Sequence, residues 1–225
     1  MRQLIPCSML LLTVLALTTF FACSDAPKGD QAKITDQEKK AEAVGQNFML
    51  DTSTSRIHFV GNGVGKNHPG TFRLSSGSVA IAGNQITGGE FVLNVKSLDL
   101  DQKDAMFQQK LRPHLLSGDF FDADKFGTAK FVITKVAPYQ PGAGDSSIID
   151  GANFNVSGNL TLKEDTKNIT FPARLDLDAN TLKAKSNFNI DRTQWKMNYG
   201  NDKTLGDKFI SETVNIRLDM QARKQ

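Results

Sequence analysis

From residue 48 onward, apolar and polar residues alternate in run after run, and this period of two constrains the chain more than any other feature. Ile57 and Phe59 flank His58. Phe72 and Leu74 alternate with Thr71 and Arg73, and Phe91, Leu93 and Val95 with Val92, Asn94 and Lys96. Phe131 and Ile133 follow a central interruption. Phe154, Val156, Leu160 and Leu162 then alternate with Asn155, Ser157, Asn159 and Thr161. The same pattern carries Ile169, Phe171 and Leu175, then Leu182, Phe188 and Ile190, and finally Val214, Ile216 and Leu218. Successive side chains of a strand point to opposite faces, so each run has one dry and one wet face. Turn signals at Gly83-Asn84, Glu164-Asp165 and Ala179-Asn180 separate several runs. No helical period recurs between them, which argues against a parallel α/β sheet. The expected fold is all-β and antiparallel. About eight strands either close into a barrel wide enough for one ligand or fold into a sandwich.

One stretch breaks the alternation. Residues 111–126 read L-R-P-H-L-L-S-G-D-F-F-D-A-D-K-F, too apolar for an exposed loop and too broken for a strand. A helix is expected from about Gln102 to Leu111, with Asp101 as N-cap, Asp104 completing a weak capping box, and Phe107 and Leu111 on one face. Pro113 then starts a new turn and Gly118 can end it, so the whole helical insertion spans about 102–117. Its expected place is over one end of the sheet. A second irregular piece, residues 191–208, carries Trp195, Met197 and Tyr199 and is expected to form a second lid at the same mouth.

The N-terminus reads as address rather than fold. Arg2 and the apolar run from Met9 to Phe21 make a secretory signal over residues 1–22. Ala22-Cys23 at its end resembles the bacterial lipobox, which implies cleavage before Cys23 and its acylation. The other cysteine, Cys7, lies in the removed segment, so the mature chain has no internal disulfide. Acyl chains would hold the protein to a membrane. The expected location is the cell envelope, as an exported lipoprotein on the periplasmic face or the cell surface. Residues 23–47 are rich in Asp, Glu and Lys with almost no large apolar side chain, so they are expected to be a flexible tether to the domain at 48–225.

Composition excludes several functions. The net charge of +3, from 27 basic and 24 acidic residues scattered along the chain, does not suit nucleic acid. Three histidines, His58, His68 and His114, without a usable cysteine make a poor metal set. No nucleophile elbow, phosphate loop or His/Asp/Ser set is visible, so no enzyme activity is expected. The 15 Phe against 2 Tyr and 1 Trp mean either a plain ring-filled core or an apolar pocket. His114 suits a ligand's polar head or a backbone carbonyl. Arg192 suits an ion pair with Asp191 or an anionic head.

A constellation adds to this reading. His68-Pro69-Gly70, the segment His114-Leu115-Leu116-Ser117-Gly118-Asp119-Phe120-Phe121-Asp122, Gly158-Asn159-Leu160-Thr161 with Thr166-Lys167, and Asp191-Arg192 occur in this order. The set resembles the YceI-like family of lipocalin-like β-barrels from the bacterial envelope. Asp165, and Lys196 after Trp195, stand where that family more commonly has Gly. The resemblance implies an eight-stranded lipocalin-like barrel that binds a long polyisoprenoid, quinone or fatty-acyl amphiphile and needs no other cofactor or metal. Phe59, Phe91, Phe131, Phe154, Phe171 and Phe188 are the expected barrel lining. Phe107, His114, Leu115 and Leu116 are expected from the covering segment, with Arg192 and Trp195 at the mouth. Transport, storage or stress protection would follow. The alternative is a solid-cored envelope interaction module displaying its loops. A homodimer is compatible with the sequence.

Overall fold

The structure, a computed structural model, describes residues 26–63, 65–141 and 146–225. The expected signal segment and Cys23 lie outside the described residues.

Eight staves close into an antiparallel barrel. They are β4 (Arg56–Gly63), β5 (Lys66–Ala82), β6 (Gln85–Leu100), β7 (Thr128–Pro138), β8 (Phe154–Leu162), β9 (Asp165–Leu177), β10 (Thr181–Asp191) and β11 (Thr213–Lys224). Each pairs with the next, and β11 returns to β4 through Ile216 opposite Phe59. A short strand, β3 (Gln46–Leu50), continues the β4 stave, since it too lies between β11 and β5. The alternation sets the registers: Phe59, Phe72, Leu74, Phe171, Phe188 and Ile190 point inward and are buried. A one-residue slip would turn each row outward. Register shifts near Thr71, Leu74 and Ala80 bend the long β5 around the closure. The barrel choice over a sandwich is thus decided by the β11–β4 pairing.

The expected tether is corrected over its described part. Strands β1 (Asp30–Gln31) and β2 (Lys33–Asp36) insert into the wall. Direct pairing of β9 with β10 runs only from Leu177↔Leu182 to Arg174↔Lys185. Beyond it, β1 lies parallel to β10 at Phe188 and Asn189, and β2 antiparallel to β9 at residues 167–170. Residues 30–36 therefore act as a short extra stave in a seam. The segment then crosses the outside of the barrel. Asn159 grips Glu38 from both sides, accepting from its N–H at 3.0 Å and donating to its carbonyl at 2.7 Å. Ala41 N–H donates to Ile133 O at 3.1 Å, and Thr87 Oγ1 donates to Val44 O at 2.6 Å. The polar composition misleads because hydrogen bonds, rather than apolar burial, hold this segment. Its partners are strand edges and outward Asn side chains, and buried amides of this kind are strongly constrained to pair. Only Ala32, buried, and Ile34 reach the core.

The insertion after β6 is a cover, as expected, with two local differences. Asp101 is tied to β5 through its N–H to Pro69 O at 3.0 Å, so Asp104 caps instead, accepting from Phe107 N–H at 3.3 Å. Pro113 starts a new turn, as expected, but with no break in the helical path. A π-helical turn at Phe107–Leu111 runs directly into α1 (Arg112–Leu116). Arg112 N–H reaches back five residues to Phe107 O, and Pro113, which has no N–H, fits at the start of the next turn. Arg112 also clamps the cover to β6, donating to Leu98 O at 2.8 Å and Lys96 O at 3.0 Å.

Candidate ligand-binding cavity

The barrel is not solid. A cavity of about 350 Å³ runs between the inward rows, within the range of small-molecule sites. Its wall is almost wholly hydrocarbon. Phe59 and Phe72 meet at 5.1 Å between ring centroids, Phe171 stacks on Phe188 at 4.1 Å, and Phe131 stands 6.0 Å from Phe171.

Glycines keep this bore open. Phe59 lies directly opposite Gly70, and Phe91 opposite Gly77. A Cβ at Gly70 would come within 2.7 Å of the Phe59 ring, and one at Gly77 within 2.6 Å of the Phe91 ring. A Cβ at Gly158 would overlap the ring of Phe131. These rings lie flat along the wall over residues without side chains, instead of projecting into the lumen.

Of the expected lining residues, Phe59, Phe91, His114, Leu115, Phe131, Phe171, Phe188 and Arg192 face the cavity. Four others are placed elsewhere. Phe107 packs on His68 at 5.4 Å and against the cluster of Phe59, Phe72, Leu98 and Leu100, without lining the cavity. Leu116 packs among Val95, Ala123 and Ala129, because α1 presents Leu115 rather than Leu116 to the lumen. Phe154 begins its strand and packs against the core beyond the cavity. Trp195 is fully buried in the wall, where its Nε1–H finds Leu160 O at 3.0 Å, so it is an anchor and not a mouth lid. Sequence reading missed Phe72, Phe120 and Phe121, which also line the cavity. Phe72 shares the alternation of Leu74 and was findable. The Phe120-Phe121 pair was visible, but no periodicity in a turn says where its rings point.

The two polar groups expected at the mouth are committed elsewhere. Arg192 is buried, and its guanidinium donates to four backbone carbonyls: Ser211 at 2.9 Å, Tyr199 at 3.0 Å, Ile210 at 2.8 Å, and Met197. It folds residues 197–211 back onto the barrel, and burial pushes its pKa down. Asp191 does not pair with it through a side-chain hydrogen bond. Instead Asp191 caps the turn at Arg192–Trp195, accepting from Thr193 N–H at 2.9 Å and Thr193 Oγ1 at 2.6 Å. Burial opposes the charge of Asp191, but the Thr193 and Gln194 bonds keep its pKa below the usual carboxylate value. His114 Nε2 lies 2.9 Å from Asp119 Oδ2, and its ring stands edge-on to Tyr199 at 4.6 Å and Phe120 at 5.2 Å. The second irregular piece does lie at this end, with its Met197, and Ile210 just after it, lining the cavity. The two positions with unusual residues meet each other: Lys196 Nζ pairs with Asp165 Oδ1 at 2.8 Å.

Comparison with known proteins places this geometry. The profile of the YceI-like domain matches residues 48–222. Two curated UPF0312 proteins of Vibrio vulnificus are 36% identical over 104 residues, which is 46% of this chain and 48% of theirs. The chain spans about half the length of the curated relatives it matches. Among solved structures, BcnA of Burkholderia cenocepacia aligns with a TM-score of 0.59 at 20% identity, covering 76% of this chain and 98% of that one. A polyisoprenoid binding domain from Saccharophagus degradans, implicated in plant cell wall breakdown, aligns with a TM-score of 0.57 at 16% identity, covering 83% of this chain and 100% of that one. At these identities the likeness is one of fold.

Proposed function

Because this chain belongs to the YceI-like domain family, we propose that it is a binding protein that holds a long-chain amphiphile of polyisoprenoid, quinone or fatty-acyl type in its barrel. The observation that carries this reading is the cavity of about 350 Å³ with a nearly continuous hydrocarbon wall. Burying ligand methylenes there supplies roughly 25 cal/mol per Å² and asks for little polar specificity. Of the polar lining residues, His68, His114 and Arg192 meet the cover, and in this reading the head of the ligand sits there with its tail down the bore. The protein acts without covalent chemistry. In support, Arg192 and His114 are occupied in structural hydrogen bonds. The solid-cored module finds no support in a barrel with this bore.

The role is carrying, storing or protecting that amphiphile at the cell envelope, with the protein anchored through an acylated Cys23. Such an anchor would be short. Residues between Cys23 and the docked Asp30 span at most roughly 24 Å, so the barrel would ride close to the bilayer rather than on a long leash.

Native mass spectrometry of protein expressed with its membrane, followed by lipid extraction, tests the reading. A co-purifying lipid is expected in the wild type. In Leu115→Asp, which puts a charge into the lumen from the cover, occupancy should fall at least tenfold while the melting temperature changes little. A barrel that is always empty, or a variant that loses stability with occupancy unchanged, overturns it.

A further inference from the structure

Strand β10 pairs with β11 from Thr181 to Asp191, but with β9 only as far as Arg174↔Lys185. A proline explains where the two part. Ala173 O takes the N–H of Asn153 on the β8 side at 3.0 Å, so the backbone of its neighbour Pro172 faces β10. Pro172 has no N–H to give, and its carbonyl takes the Ser186 hydroxyl at 2.6 Å in place of a ladder bond. Beyond this point residues 30–36 fill the gap. Phe171 and Phe188, one from each flank of the seam, stack at 4.1 Å and line the cavity.

We propose that this seam is a side entrance to the cavity and that residues 30–36 are its gate. The strap undocks, β9 and β10 part from Pro172 onward, and the chain of an amphiphile passes between a bilayer and the bore. This rests on the amphiphile-binding reading above and adds the route by which such a ligand enters.

The strap is lightly held. Its ladder to β10 spans only Asp30 and Gln31, and its ladder to β9 only Lys33–Asp36. Alternate side chains turn inward, but Ala32 alone is buried. Ile34 is half-buried, and Gln31, Lys33 and Thr35 are exposed. Undocking therefore exposes little apolar surface, and elements of that kind open before the core does. The ion pair of Lys167 with Asp36 at 2.9 Å has an almost fully exposed carboxylate and adds little. Downstream, the double bond of Asn159 to Glu38 fixes the strap to the outer wall and sets where undocking stops. The covered end is clamped more firmly. Arg112 ties the cover to two carbonyls of β6, and Arg192 ties the returning loop through four carbonyls. A route through the wall also suits a long chain, which slides sideways out of a bilayer without crossing water. Asp30 is seven residues from Cys23, so the anchor proposed above would hold the seam near the membrane.

The test locks the seam. Lys33→Cys with Thr170→Cys joins the strap to β9, because directly opposed residues of an antiparallel pair lie within disulfide reach. Ala137→Cys with Asn155→Cys makes the same kind of bond in the β7–β8 wall and serves as control. Uptake and release of cis-parinaric acid, a fluorescent fatty acid, are followed by stopped flow on full-length protein in nanodiscs, with each disulfide formed and then reduced. The oxidised seam lock should slow uptake and release alike by about tenfold, leave the equilibrium affinity nearly unchanged, and recover on reduction. The control lock should leave both rates as in the wild type. Asn159→Ala, which loosens the strap, should speed both. Melting curves report whether each variant is folded. Equal rates in the oxidised and reduced seam lock, an equal slowing by the control lock, or unchanged rates in folded Asn159→Ala overturn the gate while leaving a lipid-binding barrel. A wild type that never binds the probe overturns the amphiphile reading and the gate with it.

Discussion

At the scale of single residues, the bore depends on what is missing as much as on what is present. Phe131 can lie along the wall only because Gly158 has no side chain. Gly158→Val forces that ring into the lumen. The overpacking should cost about 1–3 kcal/mol in urea denaturation, and lipid occupancy should fall by more than the stability loss explains. Trp195, the only tryptophan and fully buried, reports unfolding by fluorescence without touching the cavity. Normal occupancy in folded Gly158→Val would mean that the ring does not border the ligand. Arg192 teaches the complementary lesson. Its position after Asp191 suggested a pair or an anion site, yet its planar fork of donors serves carbonyls of the returning loop.

At the scale of elements, the N-terminal segment and the cover are both held by polar contacts to strand edges. Residues 30–36 fill the seam between β9 and β10 that direct pairing leaves open. An unfilled seam would present unpaired strand edges. Asn159→Ala removes both bonds to Glu38 and one to Asn168, whose Nδ2 donates to Asn159 Oδ1 at 3.1 Å. Hydrogen exchange at residues 33–36 and 167–170 should rise at least tenfold, with a global loss of about 1–2 kcal/mol. Unchanged protection there would show that the segment is held by its backbone ladder alone.

At the scale of the whole molecule, the barrel closes on itself and hides its strand edges, so stability rests on an intact ring. Two of its histidines give it an acid limit. Burial lowers the pKa of His68, with Lys66 adding to it. Burial also lowers that of His58, where Arg217 and Arg56 add and Asp101 and Asp219 oppose. Their ordinary value is 6.5, so the unfolded chain takes up protons first as pH falls. Both therefore contribute stability that is present above pH 6.5 and is lost as pH drops below it. Urea midpoints should fall between about pH 7.5 and 5.5, and His68→Phe should flatten part of that slope. A flat wild-type profile would contradict it. The lowered carboxylates Asp51, Asp124, Asp191 and Asp202 act only at far lower pH, below their ordinary 3.8.

The strands, their inward rows and the interruption that covers one end are legible in the residues alone, because side-chain alternation is a local consequence of backbone geometry. The sequence carries no more than that pattern. It could name Phe59, Phe91, Phe131, Phe171 and Phe188 as inward-facing for the same reason, and the family resemblance favoured a cavity over a solid core. The folded barrel is needed to see that the rings lie over glycines of neighbouring strands and leave a bore, since cross-strand partners follow from register and closure. It alone placed the charged N-terminal stretch in the β9–β10 seam, because hydrogen bonds to distant Asn side chains leave no hydrophobic trace in composition. It also shows Arg192 engaged by backbone carbonyls and His114 by Asp119. Which donor is already spent depends on carbonyls that come near only after folding.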